Sequence, residues 1–114
     1  MDKDTTRVQG DRRARLLAMG DALQAAAAGA DWDKLGEHAR ALGPALQALA
    51  ARGPWNAAER LVLARLRSQH DDAAAAAAAA ARELATRLET MRANKEGWLA
   101  YAMHNDIEEG ASQE

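Results

Sequence analysis

Three histidines are the residues of this sequence best suited to acid–base or metal chemistry, but their spacing keeps them apart. His38, His70 and His104 are separated by more than thirty residues. No Glu-x-x-His pair is present, and a dinuclear carboxylate bundle needs two of them facing inward. His70 precedes Asp71 and Asp72, but consecutive side chains on a helix point in different directions. We interpret these groups as solvated or hydrogen-bonded polar side chains and predict no metal site.

The side chains that serve as nucleophiles or phosphate ligands are equally sparse. Serine occurs only at Ser68 and Ser112, and neither lies in the Gly-x-Ser-x-Gly spacing of a nucleophile elbow. No glycine-rich phosphate loop is present. The absence of cysteine excludes disulfides, zinc–thiolate sites and a thiol nucleophile. The sequence therefore predicts no catalytic residue, no cofactor site and no enzymatic activity.

The charge balance gives no electrostatic reason to bind nucleic acid. The chain has 15 basic and 17 acidic residues, and its pI is about 5.9. Four arginines lie near the start of the chain: Arg7, Arg12, Arg13 and Arg15. Together they could form a basic patch that binds nucleic acid. Because no aromatic residues are interleaved with them, we favour a solvated helix face.

The composition predicts an all-α protein. The 114 residues include 31 alanines and 13 leucines, but one isoleucine, two valines and no phenylalanine. Alanine is the best helix former, whereas β-branched and aromatic residues favour strands. The length allows one small domain. No stretch reaches the ~18 apolar residues of a membrane span, so we expect a protein of the bacterial cytosol.

Apolar residues at steps of three and four, together with capping signals, predict an antiparallel bundle of three main helices plus a short C-terminal helix. Gly29 is placed as a left-handed C-terminal cap, Asp31 as an N-cap, and Asn56 with Glu59 as a capping box. The predicted body spans residues 1–94, with helices at about 7–28, 32–52 and 57–93. Residues 95–114 are predicted to form a detachable helix and a disordered tail.

Three segments interrupt or modify this pattern. Gly43-Pro44 predicts a kink in the second helix, because proline removes a hydrogen bond and disfavours a helical residue before it. Asn94–Gly97 predicts the end of the third helix. The alanine run 73–81 is explained either by low-complexity drift or by the close approach of another helix. Both readings of the run stay open.

Aromatic residues give the strongest hint of an interaction surface. Trp32, Trp55 and the pair Trp98 and Tyr101 are the aromatic residues of the chain, and core packing can explain any one of these clusters. Trp98 and Tyr101 lie three residues apart beyond the predicted break, so they are the best candidates for contacting a partner.

Two segments, in order and at matching separation, resemble the FliT-type flagellar export chaperones. The first is Ala-Gly-Ala-Asp-Trp-Asp-Lys-Leu at 28–35, which joins two amphipathic helices. The second is Glu-Leu-Ala-Thr-Arg-Leu-Glu at 83–89, followed by Lys95 and the pair Ala100-Tyr101. The resemblance covers roughly residues 10–104. Gly43-Pro44 and the alanine run depart from the family's pattern.

The resemblance implies a non-enzymatic cytosolic chaperone of the flagellar type III secretion system. Such chaperones hold the C-terminal amphipathic segment of the filament-cap protein, prevent its premature assembly, and deliver it to the export ATPase and export gate. Some members also bind the flagellar master transcription activator. The family's Ala-Tyr pair, here Ala100-Tyr101, is associated with docking to the gate.

We expect the partner-binding residues to lie near the C-terminus of the chain. They are Leu84, Leu88, Met91, Trp98, Leu99 and Tyr101. An uncovered apolar face on so small a core also predicts a homodimer. The alternatives are a generic helical dimerisation or scaffold module without a client, for which the heptads would suffice, and a sequence-specific regulator, against which the pI and the aromatic placement speak.

Overall fold

The computed structural model describes the backbone of residues 2–112 and the side chains of residues 11–106. It contains three α-helices, α1 (Asp2–Ala28), α2 (Trp32–Ala50) and α3 (Ala57–Ser112). No strand occurs in residues 2–112, so the predicted all-α class is confirmed. The chain divides into two compact units, Met1–Ala78 and Ala79–Glu114. The first holds α1, α2 and the start of α3, and the second consists of the rest of α3.

Leucine and alanine side chains from all three helices form the core of the first unit. The buried residues include Leu16 and Leu23 of α1, Leu49 of α2 and Leu66 of α3. Ala73, within the alanine run, is also buried. Most of the apolar steps of three and four in the sequence therefore mark the packed face of each helix, since most of a helix's stability comes from burying such a face.

The link between α1 and α2 is fixed by hydrogen bonds at both helix ends. The N–H of Asp31 donates to the carbonyl of Ala26 at 2.9 Å, and the N–H of Ala30 donates to that of Ala27 at 3.1 Å. This is a Schellman motif, whose left-handed residue is Ala30 with φ 54°. The prediction that Gly29 would take this conformation is wrong by one residue. The predicted N-cap is confirmed, because the Asp31 carboxylate accepts from the N–H of Lys34 at 3.2 Å.

The start of α3 is held by the predicted capping box. The N–H of Glu59 donates to Asn56 Oδ1 at 2.7 Å, and the N–H of Asn56 donates to Glu59 Oε1 at 2.9 Å. These two bonds satisfy donors that the first turn of a helix would otherwise leave unpaired.

Glu59 also forms a buried ion pair with Arg12 of α1. Nε of Arg12 donates to Oε2 of Glu59, and one terminal nitrogen donates to Oε1, both at 2.7 Å. The other donors of Arg12 reach the carbonyls of Leu49, Gly53 and Pro54 at 2.9–3.1 Å. All five N–H groups of the guanidinium thus have acceptors, which is the condition for placing an arginine that is only 3% exposed in a protein interior.

One further interaction stabilises this pair. The guanidinium carbon of Arg12 lies 4.5 Å from the centroid of the Trp55 ring, in a cation–π contact. Burial by itself raises the pKa of Glu59, but the hydrogen bonds from Arg12 and the Asn56 N–H and the charge of Arg12 outweigh burial. The pKa of Glu59 is therefore lowered from its ordinary value.

The interpretation of Arg12 as part of a solvated basic face is wrong. Arg13 and Arg15 are exposed, as expected, and the side chain of Arg7 lies outside the described residues. Arg12 precedes Leu16 by four residues and therefore continues the buried face of α1. Its position in that stripe is the feature of the sequence that indicates its burial.

The boundaries of all three helices depart from the prediction. α1 begins at Asp2 rather than near residue 7. α2 ends at Ala50 rather than near residue 52. Its passage through Gly43 and Pro44 as helix is compatible with the predicted kink. α3 does not end near residue 93. It continues through Asn94–Gly97 to Ser112, so the separate short fourth helix is not observed. Alanine, leucine and charged residues on both sides favour helix enough to carry it across one exposed glycine. Whether residues 95–114 can detach stays a prediction.

Candidate functional site: the exposed apolar face of α3

The predicted partner-binding residues all lie in the second unit, on a helix without a covered side. Every residue from 81 to 104 is exposed. Among the large apolar side chains, Trp98 is 71% exposed and Leu88 is 54% exposed. We define the α3 apolar face as the six predicted residues, Leu84, Leu88, Met91, Trp98, Leu99 and Tyr101.

Helical spacing brings four members of this face onto one stripe. Leu84, Leu88, Met91 and Trp98 follow steps of four, three and seven, which are the a and d positions of a heptad. Leu99 lies on one flank of the stripe and Tyr101 on the other. Lys95 occupies the remaining a position between Met91 and Trp98, so a charge interrupts the apolar stripe near its middle.

Trp98 and Tyr101 form a defined aromatic pair. Their ring centroids are 6.2 Å apart and the rings are nearly perpendicular, at 89°, which is the edge-to-face geometry that aromatic pairs prefer. The two rings line a shallow depression together with Ala93, Asn94 and Gly97. A Cβ atom added at Gly97 would meet nothing within 4 Å, so this glycine leaves the depression open beside the rings.

Exposed ion pairs accompany this face. A terminal guanidinium nitrogen of Arg87 lies 2.7 Å from Oε1 of Glu83, and one of Arg92 lies 3.9 Å from Oε2 of Glu89. Pairs at this helical spacing contribute about 0.2–0.5 kcal/mol each. Met103, 65% exposed, adds apolar surface at the C-terminal end. It was missed as a site residue, although its position four residues after Leu99 was a usable signal.

The first unit has a second apolar feature, a groove where the three helices meet. Leu23, Trp32, Leu35, Ala39 and Ala77 are among the residues that line it. Trp32 is 36% exposed, so its ring is partly packed and partly open to solvent. Ala39 and Ala77 also pack against the core of this unit, so part of the alanine run has a packing role.

Among residues 11–106, His70 lies beside a carboxylate. Nδ1 of His70 approaches Oδ1 of Asp71 to 3.6 Å, closer than expected for neighbours on a helix; the His70 side chain is 43% exposed and that of Asp71 is 67% exposed. In this range no group of three or more His, Asp or Glu residues is arranged to hold a metal ion. No helix in the described part of the chain has an apolar stretch that could cross a membrane.

Comparisons with protein-family models, with curated proteins and with solved structures find no significant match to this chain.

Proposed function

We propose that this chain is a non-enzymatic binding protein whose α3 apolar face receives an amphipathic helical segment of a partner protein. The observation that carries the proposal is the exposure of this face. Leu84, Leu88, Met91, Leu99 and the aromatic pair are all more than half exposed, and large apolar side chains exposed together on one face of a small protein mark an interaction site.

The geometry of the face supports a helix as the bound element. An amphipathic helix presents anchors at i, i+3, i+4 and i+7, and it binds by laying its apolar face along a complementary one. The a and d spacing of Leu84, Leu88 and Met91 presents a matching row. Trp98 supplies aromatic area of the kind that often dominates the energy of an interface.

The resemblance to the FliT-type chaperones gives this proposal its biological form. The client is then the C-terminal segment of the flagellar filament-cap protein, held in the cytoplasm until export. Delivery involves the export ATPase and the export gate, with Tyr101 as the residue that docks to the gate. In this proposal the flagellar transcription activator is a further partner.

The antiparallel order of the helices in the first unit belongs to the same proposal. The link between α1 and α2 has three residues, 29–31, and short links favour antiparallel neighbours. Arg12, in the first half of α1, bonds to the carbonyl of Leu49 at the end of α2. That contact is the one expected if the two helices run in opposite directions.

A scaffold or dimerisation module without a client is the second candidate function. The heptad spacing of Leu84, Leu88 and Met91 favours it, because such spacing supports helix pairing with no other requirement. The two functions predict different results when the cap protein is present. A chaperone binds the cap protein on the α3 apolar face, and a scaffold without a client does not.

Co-purification with matched leucine variants tests the proposal. Leu88→Ser alters the α3 apolar face, and Leu61→Ser is the control, because Leu61 is an exposed leucine of α3 in the first unit. We expect the wild type and the Leu61 variant to retain the cap protein and the Leu88 variant to lose it. Failure of the wild type to retain the cap protein, or equal retention by both variants, would contradict the proposal.

A further inference from the structure

The second unit leaves the apolar side chains of residues 81–104 without cover. It consists of one helical segment, in which residues 81–104 are all exposed. In water a helix gains most of its stability from packing an amphipathic face. Another helix packed against the stripe of Leu84, Leu88, Met91 and Trp98 would therefore stabilise this segment.

The charges along this segment divide into two halves of opposite sign. Residues 82–95 contain four basic and two acidic side chains, a net charge of +2. Residues 96–112 contain four acidic side chains and no lysine or arginine, a net charge of −4 with His104 neutral. The basic residues are Arg82, Arg87, Arg92 and Lys95, and the acidic residues of the second half are Glu96, Asp106, Glu108 and Glu109.

We propose that the α3 apolar face pairs with the same face of a second copy of this chain, with the two helices antiparallel. An antiparallel pair sets the basic half of each helix against the acidic half of the other. Complementary potentials of this kind select the orientation of a helix pair. A symmetric pair also buries the same stripe on both copies.

A parallel pair in register is disfavoured by the residues beside the stripe. With Leu84 and Leu88 at d and a positions, Arg87 is at g and Arg92 is at the following e position. In a parallel pair the g residue of one helix faces the next e residue of the other, so Arg87 would face Arg92 of the second copy, twice by symmetry. Glu83 and Glu89 neutralise part of this charge within each helix, but residues 82–95 keep their net positive charge.

This inference goes beyond the proposed function, because it names the occupant of the face when no client is present. It rests on exposure and charge and requires no client, so its test uses the full chain alone. The client-binding experiment tests the proposed function and the self-association experiment tests this inference, so either proposal can fail without the other.

Sedimentation equilibrium tests the pairing itself. We expect the wild type to form dimers at about 100 μM, since self-association depends on protomer concentration. Leu88→Ser should weaken the dimer at least about tenfold, because it removes a central stripe residue, and Leu61→Ser should leave it unchanged. A wild type that stays monomeric, or equal weakening by both variants, would overturn the proposal.

Distances between spin labels test the orientation. The chain has no cysteine, so one introduced cysteine carries one label per copy. In an antiparallel pair with its centre near residues 93–97, labels at Ala81→Cys lie about 35–50 Å apart, at 1.5 Å per residue. Labels at Asn94→Cys lie close together. A short distance at both positions would show a parallel pair and overturn the inference.

Discussion

Removing the charge of Glu59 should lower the unfolding free energy of the first unit far more than removing any exposed charge. The Arg12–Glu59 pair has two hydrogen bonds of 2.7 Å, with side chains 3% and 1% exposed. Glu59→Gln keeps an oxygen that can accept from the Asn56 N–H, but it leaves the guanidinium buried without a counter-charge. Removing one partner of a buried pair costs about 3–5 kcal/mol. Because small domains have only about 5–15 kcal/mol of total stability, this loss should be large.

Urea unfolding followed by circular dichroism at 222 nm measures this loss. The control is Asp11→Asn, which breaks the exposed pair between Asp11 and Arg52 at 3.3 Å. Exposed pairs contribute about 0–1 kcal/mol, so the control should unfold close to the wild type. The pair would be unimportant for stability if Glu59→Gln and Asp11→Asn shifted the unfolding free energy by the same small amount.

Arg12→Lys separates hydrogen bonding from charge at the same position. Lysine keeps the positive charge but has three donors in place of five and no planar fork. It cannot serve the two carboxylate oxygens and the carbonyls of Leu49, Gly53 and Pro54 together. We expect a loss of more than about 2 kcal/mol, since buried acceptors left unpaired cost about 1–3 kcal/mol each. Wild-type stability in this variant would show that charge alone suffices.

Four further predictions follow from particular residues. The pKa of Glu59 is lowered from its ordinary value of about 4.5, so its ionised form stabilises the fold above that pH and this contribution is lost as the pH falls through the folded-state pKa. The unfolding free energy of the wild type should therefore fall more steeply on acidification than that of Glu59→Gln. Ala30→Gly should raise the unfolding free energy by about 0.5–1 kcal/mol, because Ala30 has a positive φ that glycine adopts without strain; a lower urea midpoint would contradict this. Leu23→Ala should cost about 2–5 kcal/mol, since Leu23 is 1% exposed; a loss below 1 kcal/mol would place it outside the core. Tyr101→Ala should change stability by no more than about 0.5 kcal/mol, because Tyr101 is 59% exposed, and should weaken capture of the gate domain while the cap protein stays bound; a large drop in melting temperature, or equal loss of both partners, would refute a docking role.

Local signals in the sequence identified most of the helical structure. The steps of three and four predicted α1 and α2 to within a few residues at most ends, and Asn56 with Glu59 marked the first turn of α3. These features depend on residues close together in the chain, where propensity and capping act directly. The end of α3 was predicted less well, because one glycine at position 97 costs only about 1 kcal/mol in a helix.

Features that depend on distant residues were the ones missed. Arg12 and Glu59 are 47 residues apart, so no pattern local to either residue shows that the two form an ion pair. Periodicity placed Arg12 on the packed face of α1, but its charge favoured a solvated interpretation. At the candidate site, spacing predicted which apolar residues share a face. It did not show that Leu84, Leu88 and Met91 would all be exposed, since a packed helix has the same pattern.

Amide hydrogen exchange of the full chain, with and without the C-terminal segment of the cap protein, tests the central claim most directly. The claim is that the α3 apolar face binds a helical client. We predict that adding the segment slows exchange in residues 84–103, where every described side chain is exposed in the free protein. Unchanged exchange there, or protection confined to residues 12–78, would contradict the claim.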